Sequence, residues 1–255
     1  MLLAGCVTVS TQSPEPTVTE AGKIVDVIDG DTVVVEGEDS ARTVRLVGVN
    51  APEHDECGAA DAEQWLRSLQ GESVRLQVTG RDQFDRVLAH LHVVDLHVNH
   101  ELVARGLALA TTADDDDPQA ASLIAAEEEA YQDRRGLWAS GACGSVGEPA
   151  PMEIDQGQAV VDPAGPDGEI LHSELIVVVN RGDVPVDLSG WSLRDESSRH
   201  RFRFAPGTIV DAGASIVVTS ADTGWSPGLS PVWSNDGDVV LLQDPAGTVV
   251  SRWRY

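Results

Sequence analysis

The residues of this chain best equipped for chemistry lie between positions 24 and 53. Asp29 and Asp31 flank Gly30 at one strand junction, and Asn50 and Glu53 stand just past the end of a later strand, around Ala51 and Pro52. Arg45 lies inside that later strand, on the face opposite Leu46. Two groups of hard oxygen donors and a guanidinium, all at strand ends, suit a divalent cation facing a phosphate. Three β-branched runs must hold them: residues 24–28, 32–35 and 43–49, broken by Asp-Gly and by Gly-Glu-Asp-Ser. That punctuation predicts an antiparallel meander.

Two further apolar runs, residues 73–79 and 87–94, extend the meander to five strands. Between strands three and four, residues 59–69 place Ala62, Trp65, Leu66 and Leu69 on one helical face. Residues 99–107, ended by Gly106, predict a second helix. Residues 118–135, followed by Gly136, predict a third, with Leu123, Ile124, Ala126 and Tyr131 inward. Five strands with helices suit an OB-type barrel, a fold that binds nucleic acid or sugars. From position 169 the pattern changes. Short alternating runs at 174–180, 186–193, 200–204, 209–210, 215–219, 238–243 and 248–252 recur with Gly, Pro, Asp and Asn between them, which predicts a β-sandwich. The chain is therefore mainly β with some α. Its expected divisions are a tether at 1–21, a barrel domain at 22–143, a linker at 144–168 and a sandwich at 169–255.

The motifs V-I-D-G-D-T, R-L-x-G-V-x-x-P-E and D-x-x-x-R (residues 82–86) resemble the staphylococcal-nuclease (thermonuclease) family, in its order and with its gaps, over roughly residues 22–143. The resemblance implies an OB fold and calcium-dependent phosphodiester hydrolysis of DNA and RNA. By motif, Asp31 matches a metal-ligand aspartate, Asp29 a supporting acid, and Glu53 the glutamate that activates water. Arg45 and Arg86 match two phosphate-binding arginines, and Ala51 a residue that offers its backbone carbonyl. Asn50 stands where the family usually has a second ligand aspartate, so it keeps an oxygen and loses a charge. Tyrosines that stack the nucleotide in the family are replaced by Thr111-Thr112-Ala113 and a run of four aspartates, 114–117, read here as a solvated loop. Exported relatives carry cysteines at the places of Cys57 and Cys143, which implies a disulfide between them.

A second resemblance covers residues 174–255: V-V-N-R-G-x-x-P-V-D-L-S-G-W-S-L-R-D, P-G-T-I-V-x-A-G and V-W-S-N-D-G-D-V-V-L-L-Q-D-P-A-G look like a lamin-tail domain, an immunoglobulin-like sandwich. Leu188, Trp191 and Leu193 are then core. In this sandwich Arg199, Arg201 and Arg203 alternate with His200, Phe202 and Phe204. That basic stripe is either a polyanion contact or a solvated face paired with Asp195 and Glu196.

Composition limits these readings. The 255 residues carry 42 acids against 17 bases, a formal charge of -25, with Lys23 the one lysine. Both halves are acidic: 27 acids and 10 bases in residues 1–150, 15 and 7 in 151–255. Such a surface repels nucleic acid at low salt. At molar salt the Debye length falls to about 3 Å and the repulsion fades, so the charge reads as adaptation to a salty medium. At the start, Leu3-Ala4-Gly5-Cys6 resembles a lipobox, whose cysteine takes a lipid, and residues 7–20 are rich in Thr, Ser, Pro and Glu. Together they predict a membrane anchor at Cys6 and an extracellular location, surface-bound or secreted. His54, His90, His92, His97 and His100 come without C-x-x-C or H-E-x-x-H and read as surface or half-buried side chains. The expectation is a cell-surface, salt-adapted nuclease whose sandwich targets it or docks with an unidentified surface partner. The alternative is a non-catalytic polyanion- or partner-binding envelope lipoprotein.

Overall fold

The structure is a computed structural model that describes residues 18–111, 117–145, 149–164, 171–197, 199–226, 232–235 and 237–255. Strands β1 (Val18–Val27), β2 (Thr32–Glu36), β3 (Ala41–Leu46), β5 (Ser73–Arg81) and β6 (Val87–Val93) form one sheet in the order β3-β2-β1-β5-β6. A parallel pairing of β3 with β6 (Val44↔Val87, Arg45↔Leu88, Leu46↔Ala89) joins its two ends. This is the expected five-stranded closed barrel, and closure removes the sheet's edges. A bulge between Ile24 and Asp26 bends β1. Ile24, Val33, Val35, Val44, Leu46, Leu76 and Leu91 fill the interior with no exposure.

Three helices pack on the barrel: α1 (Ala59–Arg67), α2 (Val98–Ala104) and α3 (Ala120–Gln132). α1 buries Ala62 and Leu66 fully, with Trp65 and Leu69 packed beside them. α3 buries Leu123, Ala126 and Ala130 and also an acid, Glu127. Two short strands, β4 (Val49–Asn50) and β8 (Leu109–Ala110), pair antiparallel outside the barrel sheet. The expected third strand, 43–49, is in fact two. Gly48 at φ 72 turns the chain between β3 and β4, a left-handed backbone that favours glycine. Strand β7 (Leu96–His97) hairpins back onto β6.

The second domain contains β9 (Met152–Ile154), β10 (Leu175–Asn180), β11 (Val186–Asp187), β12 (Ser192–Arg194), β13 (Arg201–Arg203), β14 (Ile209–Val210), β15 (Ser215–Thr219), β16 (Trp225–Ser226), β17 (Val239–Gln243) and β18 (Val249–Arg254). One sheet runs β15-β10-β9, another β16-β13-β12-β17-β18, and β11 pairs with β14. Ile176, Val178, Leu188, Trp191, Leu193, Val240 and Leu242 form the core between them.

Two expected boundaries move. Residues 18–21, expected in the tether, belong to β1 and pair with β5 (Val18↔Val78). Within the expected linker, 144–168, Met152 and Ile154 are buried in the sandwich core and pair with β10. Three alternating residues among Pro, Gly and Glu are too short a run to show a period.

The domains are packed together. Leu109, Ala130 and Trp138 of the first and Val239 and Leu241 of the second form a shared buried cluster. β17 therefore buries both faces: Val240 and Leu242 into the sandwich, Val239 and Leu241 into the joint. Beside this cluster Glu127, wholly buried, meets Arg252 (Nη2–Oε1 2.5 Å) and Arg254 (Nη2–Oε2 3.0 Å). The Arg252 guanidinium lies over the rings of Tyr131 and Trp138, 4.9 and 5.5 Å from their centroids.

Candidate active site

Gly30 sets the site's geometry. A Cβ there would lie 2.7 Å from the Ala51 Cβ and 2.8 Å from that of Ala62, so only glycine lets the Asp29–Asp31 turn press against β4 and α1. Asp31 is thereby 7 % exposed. Its Oδ2 accepts the Ala51 amide at 2.8 Å, and its Oδ1 accepts the Thr32 hydroxyl at 3.0 Å. Asp29 stands behind it and accepts the Asp31 amide at 3.0 Å. Arg45 reaches across: Nη2 is 3.0 Å from Asp31 Oδ2 and donates to Asn50 Oδ1 at 3.0 Å. Its Nη1 donates to the carbonyls of Leu46 and Val49. Asp31, Arg45, Asn50 and Ala51 are thus one contact set, drawn from β3, β4 and the β1–β2 turn.

Burial is the largest influence on the Asp31 carboxyl. The Arg45 guanidinium opposes it and the Asp29 carboxylate adds to it, and the result is a group pushed up to about 6. A buried carboxylate so placed favours an added cation. Among the described residues no three His, Cys, Asp or Glu side chains are grouped as a metal site. The oxygens brought together are Asp31 Oδ2 and Asn50 Oδ1, both on Arg45 Nη2, and the expected set adds the Ala51 carbonyl with Asp29 in support. They are hard oxygens, the type calcium takes, and water and substrate complete such a shell of six to eight. The donor set therefore fits calcium in chemistry. Arg45 holds Asp31 Oδ2 and Asn50 Oδ1, so a cation competes with it for those two oxygens.

Glu53 and Arg86 lie apart from this set. Glu53 is exposed on the loop after β4, and its carboxylate makes no hydrogen bond or ion pair among the described residues. Arg86 lies one residue before the β6 residue that pairs with Val44. Its Nε donates to Asp82 Oδ2 at 2.6 Å, its guanidinium is 5.6 Å from the Phe84 centroid, and its side chain is one-third exposed.

A closed five-stranded barrel with three helices, holding a buried aspartate against an arginine beside an exposed glutamate loop, defines a nuclease-type hydrolase domain. Comparison with known proteins agrees. The family model described as Staphylococcal nuclease homologue matches residues 43–140, and that of the Lamin Tail Domain matches residues 153–255. An endonuclease of Escherichia coli, described as uncharacterized, is 32% identical over 120 residues, 46% of this chain and 76% of its own length. The thermonuclease of Staphylococcus hyicus is 25% identical over 127 residues (46% of this chain, 75% of its own), and that of Staphylococcus intermedius 29% over 121 (44% and 72%). The chain belongs to the staphylococcal nuclease homologues, with a lamin-tail domain after the nuclease domain.

The Cys57–Cys143 disulfide is present, Cα–Cα 5.5 Å, and links the segment before α1 to the one after α3. Cys6 and residues 112–116 of the threonine–aspartate stretch lie outside the described residues. Asp117, the last of that run, is not solvated: it is 7 % exposed, 2.9 Å from His90 Nε2, and accepts the Gln119 amide. His90 is likewise fully buried, not half-buried, and His97 Nε2 lies 3.2 Å from its Nδ1. In the basic stripe, Arg199 and Arg203 are exposed, but Arg201 is bonded to Glu56 of the nuclease domain and to Gln243. Sequence reasoning missed Glu56 and Glu127 altogether. Each sits in an acid-rich stretch that reads as surface.

Proposed function

We propose that this protein is a calcium-dependent endonuclease that hydrolyses phosphodiester bonds of DNA and RNA. The observation that carries the reading is the Asp31–Arg45–Asn50–Ala51 contact set in a chain of this family. Bound calcium would supply a Lewis acid to the phosphoryl oxygen. Asp31 and the oxygens of Asn50 and Ala51 would hold it. Glu53, exposed and unpaired among the described residues, takes the proton of the attacking water. Arg86 exchanges Asp82 for a phosphate oxygen, and Arg45 turns from its carboxylate partner to the same phosphate; two guanidiniums then face the charge that develops on phosphorus.

We further propose that the enzyme works outside the cell in a salty medium, held to the membrane by a lipid on Cys6. The charge of -25 supports the first part and the Leu-Ala-Gly-Cys segment the second. The test is hydrolysis of DNA and of RNA by the full chain at molar salt, with calcium and with chelator, beside Glu53→Gln. Calcium-dependent cleavage that Glu53→Gln loses is the expected result. A folded protein that cleaves neither polymer would overturn it.

A further inference from the structure

The lamin-tail sandwich grips the nuclease domain at the loop that bears Glu53. The first end of that loop is fixed by the Ala51 amide on Asp31, and the other by the Cys57–Cys143 disulfide. Between them Glu53, His54 and Asp55 are exposed. Glu56 turns the loop back on itself: its amide donates to the Glu53 carbonyl at 2.7 Å, and its Oε2 accepts the Glu53 amide at 3.2 Å. The Glu56 carboxylate is held in turn by the sandwich. Arg194 Nη1 lies 3.3 and 3.1 Å from its two oxygens, and Arg201 Nη2 meets Oε1.

Arg194 is a fixed post. Its side chain is 6% exposed, its Nε donates to the Asp195 carbonyl and its Nη2 to that of Ser197, both 3.2 Å. A second grip lies at the start of the loop. Asn50 Nδ2 donates to the Glu196 carbonyl of the sandwich at 2.9 Å, while its Oδ1 accepts from Arg45. A carboxylate at position 50 would accept from Arg45 but could not donate to Glu196. The same face encloses a cleft of ≈ 210 Å³, lined by Asn50, Pro52 and Glu56 on one side and Arg194, Arg201 and Arg203 on the other.

We propose that the sandwich is a positioning element of the nuclease site: Arg194 and Arg201 hold Glu56, and through it the Glu53 loop. This rests on the reading of Glu53 as the group that takes the proton. Arg194 and Arg201 touch no reacting atom, so they are positioning residues. The phosphate-binding groups assigned above, Arg45 and Arg86, lie outside the loop. Releasing it therefore lowers kcat and leaves KM nearly unchanged.

The test uses the full chain with Arg201→Met, Arg201→Lys and Glu56→Gln, and reads cleavage of DNA in calcium, amide exchange of residues 53–58, and the melting midpoint. Arg201→Met and Glu56→Gln should speed exchange of that segment by about tenfold or more. They should lower kcat about ten- to hundredfold, the range a small misplacement of a catalytic group produces. KM should stay within about twofold, and Arg201→Lys should recover part of kcat. Unchanged exchange, or faster exchange with kcat intact, overturns the proposal. A wild type without calcium-dependent cleavage, or a Glu53→Gln variant as active as wild type, overturns instead the catalytic reading on which it rests. In that case the exchange data still report whether the sandwich holds the loop.

Discussion

Replacing Glu127 by glutamine tests whether the two domains are one folding unit. The Glu127 side chain has no exposure, against 4% for Arg252 and 12% for Arg254. Its Oε2 also accepts the Ala110 amide at 2.7 Å. Glutamine keeps the size and one acceptor but removes the charge and turns an NH2 toward two guanidiniums. Removing one partner of a buried pair costs about 3–5 kcal/mol. Here Arg252 keeps Glu128 Oε2 at 2.8 Å, and Arg254 keeps Glu196 Oε2 at 3.4 Å and the Ala110 carbonyl at 2.8 Å. The lower end, about 3 kcal/mol, is therefore expected. At 2–4 °C per kcal/mol for a protein near this size, the midpoint should fall by about 6–12 °C. Calorimetry at fixed molar salt is the assay. The wild type should melt in one transition; in the variant the lowered midpoint should belong to a first transition that separates from a second, because the change weakens the joint. Asp85→Asn is the control: the Arg81–Asp85 pair is 51% and 87% exposed, and its loss should cost at most about 1 kcal/mol. A Glu127→Gln loss no larger than this control would refute the argument, since it would mean the two arginines are hydrated and the joint is open.

Three further outcomes are expected. Asn50→Asp adds a charge beside Asp31 and cannot donate to Glu196, so calcium should bind more tightly, by about tenfold, while the melting midpoint falls; titration calorimetry and a melt on one sample check both signs. Cys57→Ser with Cys143→Ser opens a loop of 86 residues and should lower stability by about 4.6 kcal/mol in the chain-entropy model, read as the denaturant midpoint. Asp238 gives the pH dependence: burial first, then the Asp195 and Glu196 carboxylates, push it up from 3.8 to about 7. The folded state holds that proton more tightly than the unfolded one, so the group favours folding below pH 3.8, and this stability is lost as pH rises toward 7. Asp238→Asn should therefore gain on the wild type by about 3–4 kcal/mol between pH 4 and pH 8, and a pH-independent difference would count against it.

The barrel was legible because its strands punctuate themselves. Asp-Gly after Ile28 and the β-branched run 32–35 are local signals, and Thr32, Val33 and Val35 of β2 are buried. The contact set was legible for the same reason: Asp31, Arg45, Asn50 and Ala51 are close in sequence, and one turn plus one strand brings them together, whereas Glu53 and Arg86, named with them, lie apart from the set. Glu127 was not legible, because an acid in the run Glu127-Glu128-Glu129 reads as solvent-facing until two arginines 125 and 127 residues away are known to reach it. Glu56 was hidden likewise, its partners lying 138 and 145 residues on. One signal for the joint was present. Residues 239–242, Val-Val-Leu-Leu, are apolar on both faces, and a strand of that composition is covered on both sides. The second cover is the nuclease domain. The split of 186–193 into β11 and β12 had a weaker signal in Gly190, at φ 80.

The placement of the arginines bears on the salt reading of the charge. A chain with 17 bases among 42 acids has few cations to place. Four of them, Arg194, Arg201, Arg252 and Arg254, lie on the sandwich face that meets the nuclease domain, each with a side chain at most 17% exposed. Exposed pairs lose most of their attraction at molar salt, whereas buried pairs are screened far less. Ion pairs at this joint therefore keep their strength where surface pairs do not. The same placement takes Arg201 out of the basic stripe, while Arg199 stays exposed and Arg203 lines the cleft at the joint. The sandwich thus directs most of its positive charge inward, toward Glu56 and Glu127, and its first partner is the nuclease domain of its own chain.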